Sequence, residues 1–126
     1  MNLPRAVVWT DHHSAQILSF DATQVRAIGV RDHKHPTAQH GSGARAEHEF
    51  FSDVCAALDD IPEILVTGSH TAVADFRHYA DKHRPQTAGR IVAYEIVDHP
   101  SDNQLVALAR AFFLKQGETV RRPATK

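Results

Sequence analysis

Ten histidines among 126 residues are the first feature of this chain that could do chemistry. His12 and His13 follow Asp11, while His33, His35 and His40 fall in a polar stretch, DHKHPTAQHGSG, over residues 32–43, and His48 follows Glu47. Neutral imidazoles ligate zinc and nickel, and two of them separated by one residue can chelate. The spacing of His33, His35 and His40 matches no compact metal motif, and no cysteine or fixed helical pair completes it. A metal held by these three is the weaker alternative, and solvated, pH-responsive side chains are the better account. No metal or other cofactor is expected. Protonated, the same histidines let an otherwise neutral loop approach phosphates.

Acidic chemistry has three candidates, Asp11, Glu47 and Glu95. A two-metal nuclease of the ribonuclease-H type draws carboxylates from its first strand, first helix and fourth strand. Here the fourth strand ends in Thr67-Gly68 and supplies none, while Asp11 stands where aspartate favours a turn for local reasons. Gly68, Ser69 and Thr71 mark a strand-to-helix turn whose free N–H groups can hold an anion, although an ordinary turn with a hydroxyl cap is the better account. In the EIVDHPSD stretch, Glu95, Asp98, His99, Pro100 and Asp102 read mainly as helix initiation. Glu95 lies inside an apolar strand and either sits at an exposed strand edge or pairs with a cation such as Arg90 or His99, the paired acid being the better account.

The elements that must position these residues follow from periodicity. RAVVWTD (5–11), QILSF (16–20) and QVRAIGVR (24–31) are strand-like runs separated by short polar breaks, which predicts an antiparallel meander. The polar stretch over 32–43 is a long loop for so small a domain. From about Ala44, Phe50, Phe51, Val54, Cys55, Leu58 and Ile61 recur at helical spacing until Pro62. EILVT (63–67) is a continuous apolar run, as expected of a strand buried on both faces. A second helix is expected near Thr71–His83, with Val73, Phe76, Tyr79, Ala80 and His83 inward, stopped by Pro85. GRIVAYEIV (89–97) is a fifth strand. Ser101 and Gln104 form a capping box that opens a third helix carrying Leu105, Leu108, Ala109, Phe112 and Phe113. The order βββαβαβα predicts a single α/β domain over 1–116. It has a mixed five-stranded sheet of ribonuclease-H-like layout with helices on both faces, and 117–126 form a basic polar tail.

A composition of 42% hydrophobic and 23% charged residues suits one soluble globular domain. The net charge of -1 excludes a global basic field, so any contact with nucleic acid must be local. The single Cys55 excludes a disulfide framework. No apolar run reaches the length of a membrane span and the N-terminus carries no secretory pattern, so a cytoplasmic protein with no membrane partner is expected.

The segments GSGARAEHEFFSDVCAAL, EILVTGSHTAVADFRHYADKHRP and VAYEIVDHPSDNQLVALARAFF together resemble the middle domain of archaeal and eukaryotic class-1 peptide release factors and of their rescue paralogue Pelota. The chain is closer still to small bacterial stand-alone proteins of that superfamily, described as translational machinery proteins. The resemblance covers residues 5–116, and EILVTG and DHPSDNQL are its most specific parts. It implies that the loop before the first helix is the working end. In release factors that loop carries a Gly-Gly-Gln tip that assists hydrolysis of the peptidyl ester. Here Gly41-Ser42-Gly43 stands near that place with no glutamine after it, and Gln39 lies on the wrong side. The resemblance therefore implies a Pelota-like, non-catalytic role, without the release factors' codon-reading and partner-binding domains.

The leading expectation is a ribosome- or tRNA-binding protein used in rescue, surveillance or dormancy. Its contacts would be His33, Lys34, His35, His40, Gly41, Ser42, Gly43 and Arg45 in the loop and Arg121 and Arg122 in the tail. Two alternatives stand beside it. One is a metal-dependent or acid–base hydrolase of nucleic acid or a small ester, using the histidines with Asp11, Glu47 or Glu95. The other is a homodimeric scaffold or stress protein.

Overall fold

The computed structural model describes residues 3–31 and 42–121. The first three strands are β1 (Arg5–Thr10), β2 (Ser14–Phe20) and β3 (Val25–Arg31), and α1 (Ser42–Ala57) follows them. Next come β4 (Glu63–Gly68), α2 (His70–His83), a single turn α3 (Pro85–Ala88), β5 (Ile91–Ile96) and α4 (Asp102–Arg121). The sheet order is β3-β2-β1-β4-β5, antiparallel within the meander and parallel from β1 through β4 to β5. This is the mixed five-stranded α/β layout that the element order predicts.

Both hairpin turns of the meander are built the same way. Asp11 accepts hydrogen bonds from the amides of His13 and Ser14 at 2.8 and 2.7 Å, and Asp21 accepts from those of Thr23 and Gln24 at the same distances. Each aspartate replaces a backbone acceptor and locks its turn. For Asp11, burial raises the carboxyl pKa, but the amide bonds from His13 and Ser14 and the Ser14 hydroxyl outweigh it and hold the group below 3.8.

Strand alternation divides the core into two layers. Ala6, Val8, Ile17, Ile64 and Val66 pack under α1 and α2, against Phe50, Phe51, Val54, Leu58 and Phe76. Val7, Trp9, Leu18, Phe20 and Leu65 face α4 through Leu105, Val106, Ala109 and Phe113. β4 is buried from Ile64 to Gly68, as its unbroken apolar run predicts. The predicted capping box is present, with Ser101 N–H donating to Gln104 Oε1 at 2.9 Å and Gln104 N–H to Ser101 Oγ at 3.2 Å.

Several boundaries differ from expectation. Pro85 ends α2 but opens α3, because its fixed φ suits a first helical position. α4 runs through Gly117 to Arg121, so the first half of the expected tail is helical. The long loop is shorter than expected at its end: Ser42 and Gly43 join Arg45 in the first turn of α1. His83 is exposed rather than inward, with its ring 4.9 Å from that of Tyr79.

Candidate functional site

At the carboxyl end of the parallel strands, β1 and β4 finish side by side. Thr10 pairs with Gly68, and Ser69 N–H donates to Thr10 O at 3.2 Å. Gly68 is required here: its φ is +152°, and a Cβ on it would come within 2.1 Å of Thr10 O. This close junction brings the β1–β2 turn against the first turns of α2, and α1 lies over both.

His12, at the tip of that turn, is the centre of the resulting cluster. Its Nδ1 lies 2.9 Å from Glu47 Oε2 on α1 and 3.9 Å from Asp75 Oδ2 on α2, and its Nε2 lies 2.8 Å from Thr71 Oγ1. The side chains of His12, Glu47 and Asp75 are 35%, 30% and 53% exposed, so solvent and small solutes reach them while partial burial holds them in place. A carboxylate, an imidazole and a hydroxyl in hydrogen-bonded series can pass a proton. The imidazole with the two carboxylates can equally hold a cation. The cluster opens onto a groove between α1 and α2, walled by His48, Phe51, Tyr79, Lys82 and His83.

Of the residues expected to carry chemistry, His12 and Glu47 are brought together across 35 positions. Thr71 joins them through its hydroxyl and not through an anion-binding backbone. The strand-to-helix turn departs from its expected form, since Ser69 makes no side-chain cap bond and its N–H is used by Thr10. Asp11 is spent on its turn, accepting from the amides of His13 and Ser14. Asp75 was not singled out by sequence reasoning. Its one signal is the spacing of four from Thr71, which sets both on one face of a helix.

The EIVDHPSD stretch lies on the opposite face. Trp9 and His99 stack with ring centroids 4.1 Å apart and planes 11° from parallel, and Trp9 Nε1 donates to Asp98 O at 3.2 Å. Gln16 Nε2 donates to Asp102 Oδ2 at 3.1 Å. Neither expected cation serves Glu95, which is half-buried on β5. Arg90 donates to the carbonyls of Leu58 and Ile61 at 3.0 and 2.8 Å, and His99 is spent on Trp9. His33, Lys34, His35, His40, Gly41 and Arg122 lie outside the described residues. Arg121 is the last residue of α4.

The fold resembles solved translation factors. Pelota of Archaeoglobus fulgidus superposes with a TM-score of 0.70 at 17% identity, over 98% of this chain and 36% of its own. The domain is Pelota-like in fold. Thermoplasma acidophilum Pelota gives a TM-score of 0.57 at 16% identity over 81% of this chain, and the archaeal translation termination factor aRF1 gives 0.58 at 11% over 92%. This Pelota-like chain spans between 30% and 41% of the length of those three proteins. No protein-family model matches the sequence, and no curated protein matches it. Among the described residues, no helix is long and apolar enough to cross a membrane.

Proposed function

We propose that this domain acts in translation, binding the ribosome or tRNA in the cytoplasm without catalysing peptidyl-ester hydrolysis, in rescue, surveillance or dormancy. The observation that carries this reading is the match of nearly the whole chain to a Pelota segment, with a second match to a translation termination factor. The contact surface is the segment before and into α1, with His33, Lys34, His35, His40, Gly41, Ser42, Gly43 and Arg45, helped by Arg121 and Arg122. A net charge of -1 means that affinity must come from a few local phosphate contacts, which gives roughly micromolar, salt-sensitive binding. The test is sedimentation of the tagged protein through sucrose gradients from growing and starved cells. Comigration with ribosomal fractions at low salt, lost at high salt, is expected. A signal confined to the top of every gradient overturns the proposal. Changing His33, Lys34, His35 and Arg45 to alanine should weaken ribosome binding with little change in Tm, and unaltered binding removes the loop assignment.

One observation favours a second reading, acid–base hydrolysis of a nucleic acid or small ester: the Glu47–His12–Thr71 series of hydrogen bonds. Turnover of RNA or an activated ester in EDTA, abolished by His12→Ala, would establish it. Inertness toward both would remove it.

A further inference from the structure

We infer that His12, Glu47 and Asp75 form a site for one divalent transition-metal ion of the zinc class. The inference does not depend on the translation reading.

Geometry comes first. One ligand atom from each residue, the imidazole Nδ1 and two carboxylate oxygens, lies within 4.8 Å of the other two. An ion bound at about 2.0–2.2 Å to each ligand holds neighbouring donors roughly 3–3.5 Å apart. The observed separations of 2.9 and 3.9 Å from Nδ1 bracket that range, so side-chain rotations suffice to close the set. The three residues stand on the β1–β2 turn, α1 and α2, and the Gly68–Thr10 junction ties the turn to the start of α2, so the cluster does not rest on one flexible loop.

The second shell fits as well. A metal-bound histidine normally directs its other ring nitrogen to a hydrogen-bonding partner, which fixes the tautomer and the ring plane. Thr71 Oγ1, at 2.8 Å from Nε2, can serve as such a partner by accepting from Nε2–H, and Nδ1 is the ring atom that faces both carboxylates. A neutral imidazole protonated at Nδ1 satisfies Glu47 by itself, and a metal ion at Nδ1 takes the place of that proton.

Charge points the same way. Among the described residues, the carboxylates of Glu47 and Asp75 both approach the His12 ring. The basic side chains of His48, His78, Lys82 and His83 line the same groove as Glu47 and Asp75, yet among the described residues neither carboxylate pairs with any of them. A proton on the imidazole offsets one carboxylate, whereas a divalent ion offsets both. One nitrogen and two oxygen donors suit zinc or manganese better than magnesium, which prefers oxygen ligands alone. The opening onto the groove leaves further coordination positions for water or an anionic ligand.

The test is calorimetric titration of the EDTA-stripped full chain with Zn2+ near neutral pH, with Mg2+ as comparison. Because the chain has ten histidines, two variants locate the site. His33, His35 and His40 changed together to alanine should keep one tight zinc equivalent. Glu47→Gln with Asp75→Asn, which preserves shape, should lose at least tenfold in affinity. Ring 15N shifts in the unmodified chain give an independent readout that needs no variant, and zinc should move the His12 Nδ1 resonance first. Undiminished zinc binding in the carboxamide variant, loss of the tight equivalent in the loop variant, or no zinc binding at all would each overturn the inference.

Discussion

Two corners at the same end of the sheet use histidine in opposite ways. On the α1 and α2 side, His12 spends both ring nitrogens on polar partners from two helices. On the α4 side, His99 lays its ring flat on Trp9, and the indole N–H closes the corner on the Asp98 carbonyl. The first corner presents partly exposed heteroatoms that can exchange a proton or bind an ion. The second is a packing device that fixes how the chain leaves β5 and enters α4. The two histidines are of one type, each directly following an aspartate, so the distinction arises from which sheet face they reach and what waits there.

The sharpest break of the comparison is Trp9→Ala. It removes a ring that is nearly fully buried in the α4 layer together with its two carbonyl bonds, and should cost about 3–5 kcal/mol in chemical denaturation. Zinc affinity, measured below the new Tm, should be retained, because His12 is held from the other face.

Gly68→Ala attacks the junction under the His12 corner. Its Cβ meets Thr10 O at 2.1 Å in a backbone region that side chains avoid, and a loss on the order of 3 kcal/mol is expected, read by thermal melting. An unchanged Tm would show that the junction yields.

Asp11→Ala removes the acceptor that locks the His12 turn, and about 1 kcal/mol of stability should go at neutral pH. The Asp11 pKa is held below 3.8 in the folded protein, so its contribution is present above that value and is lost as pH falls through the lower folded value. The gap between wild type and variant should therefore narrow below about pH 3.8 in urea titrations.

The smallest effects separate the histidines directly. His99→Ala should cost about 0.5–1.5 kcal/mol through the lost stack and leave zinc binding intact. His12→Ala, at a partly exposed site, should change stability by about 1 kcal/mol or less and abolish the tight zinc equivalent. Equal behaviour of the two variants in both assays would dissolve the comparison.

Much of the frame is legible along the chain. The unbroken EILVT run becomes the doubly covered β4, Ser101 and Gln104 close their box, and all six apolar residues from Phe50 to Ile61 singled out at helical spacing are buried. These readings succeed because they depend on neighbours a few positions away. The extension of α4 past Gly117 is less legible, since one glycine costs a helix only about 1 kcal/mol, too little to stop it. Of the His12 cluster, His12 and Glu47 stood out as residue types, but nothing local joins them, and Asp75 looks like any exposed helical acid.

The sequence by itself determined the order and kind of the main elements, the faces their apolar residues bury, the turn at Asp11, and the need for local rather than global contact with any polyanion. Only the tertiary structure decided which histidine is chemically available. That choice rests on contacts between residues 35 to 63 positions apart, created when β1 and β4 pair in parallel and bring one turn against two helices. Side-chain periodicity is a short-range property, whereas the convergence of His12, Glu47, Thr71 and Asp75 is a consequence of strand order, which no local pattern encodes.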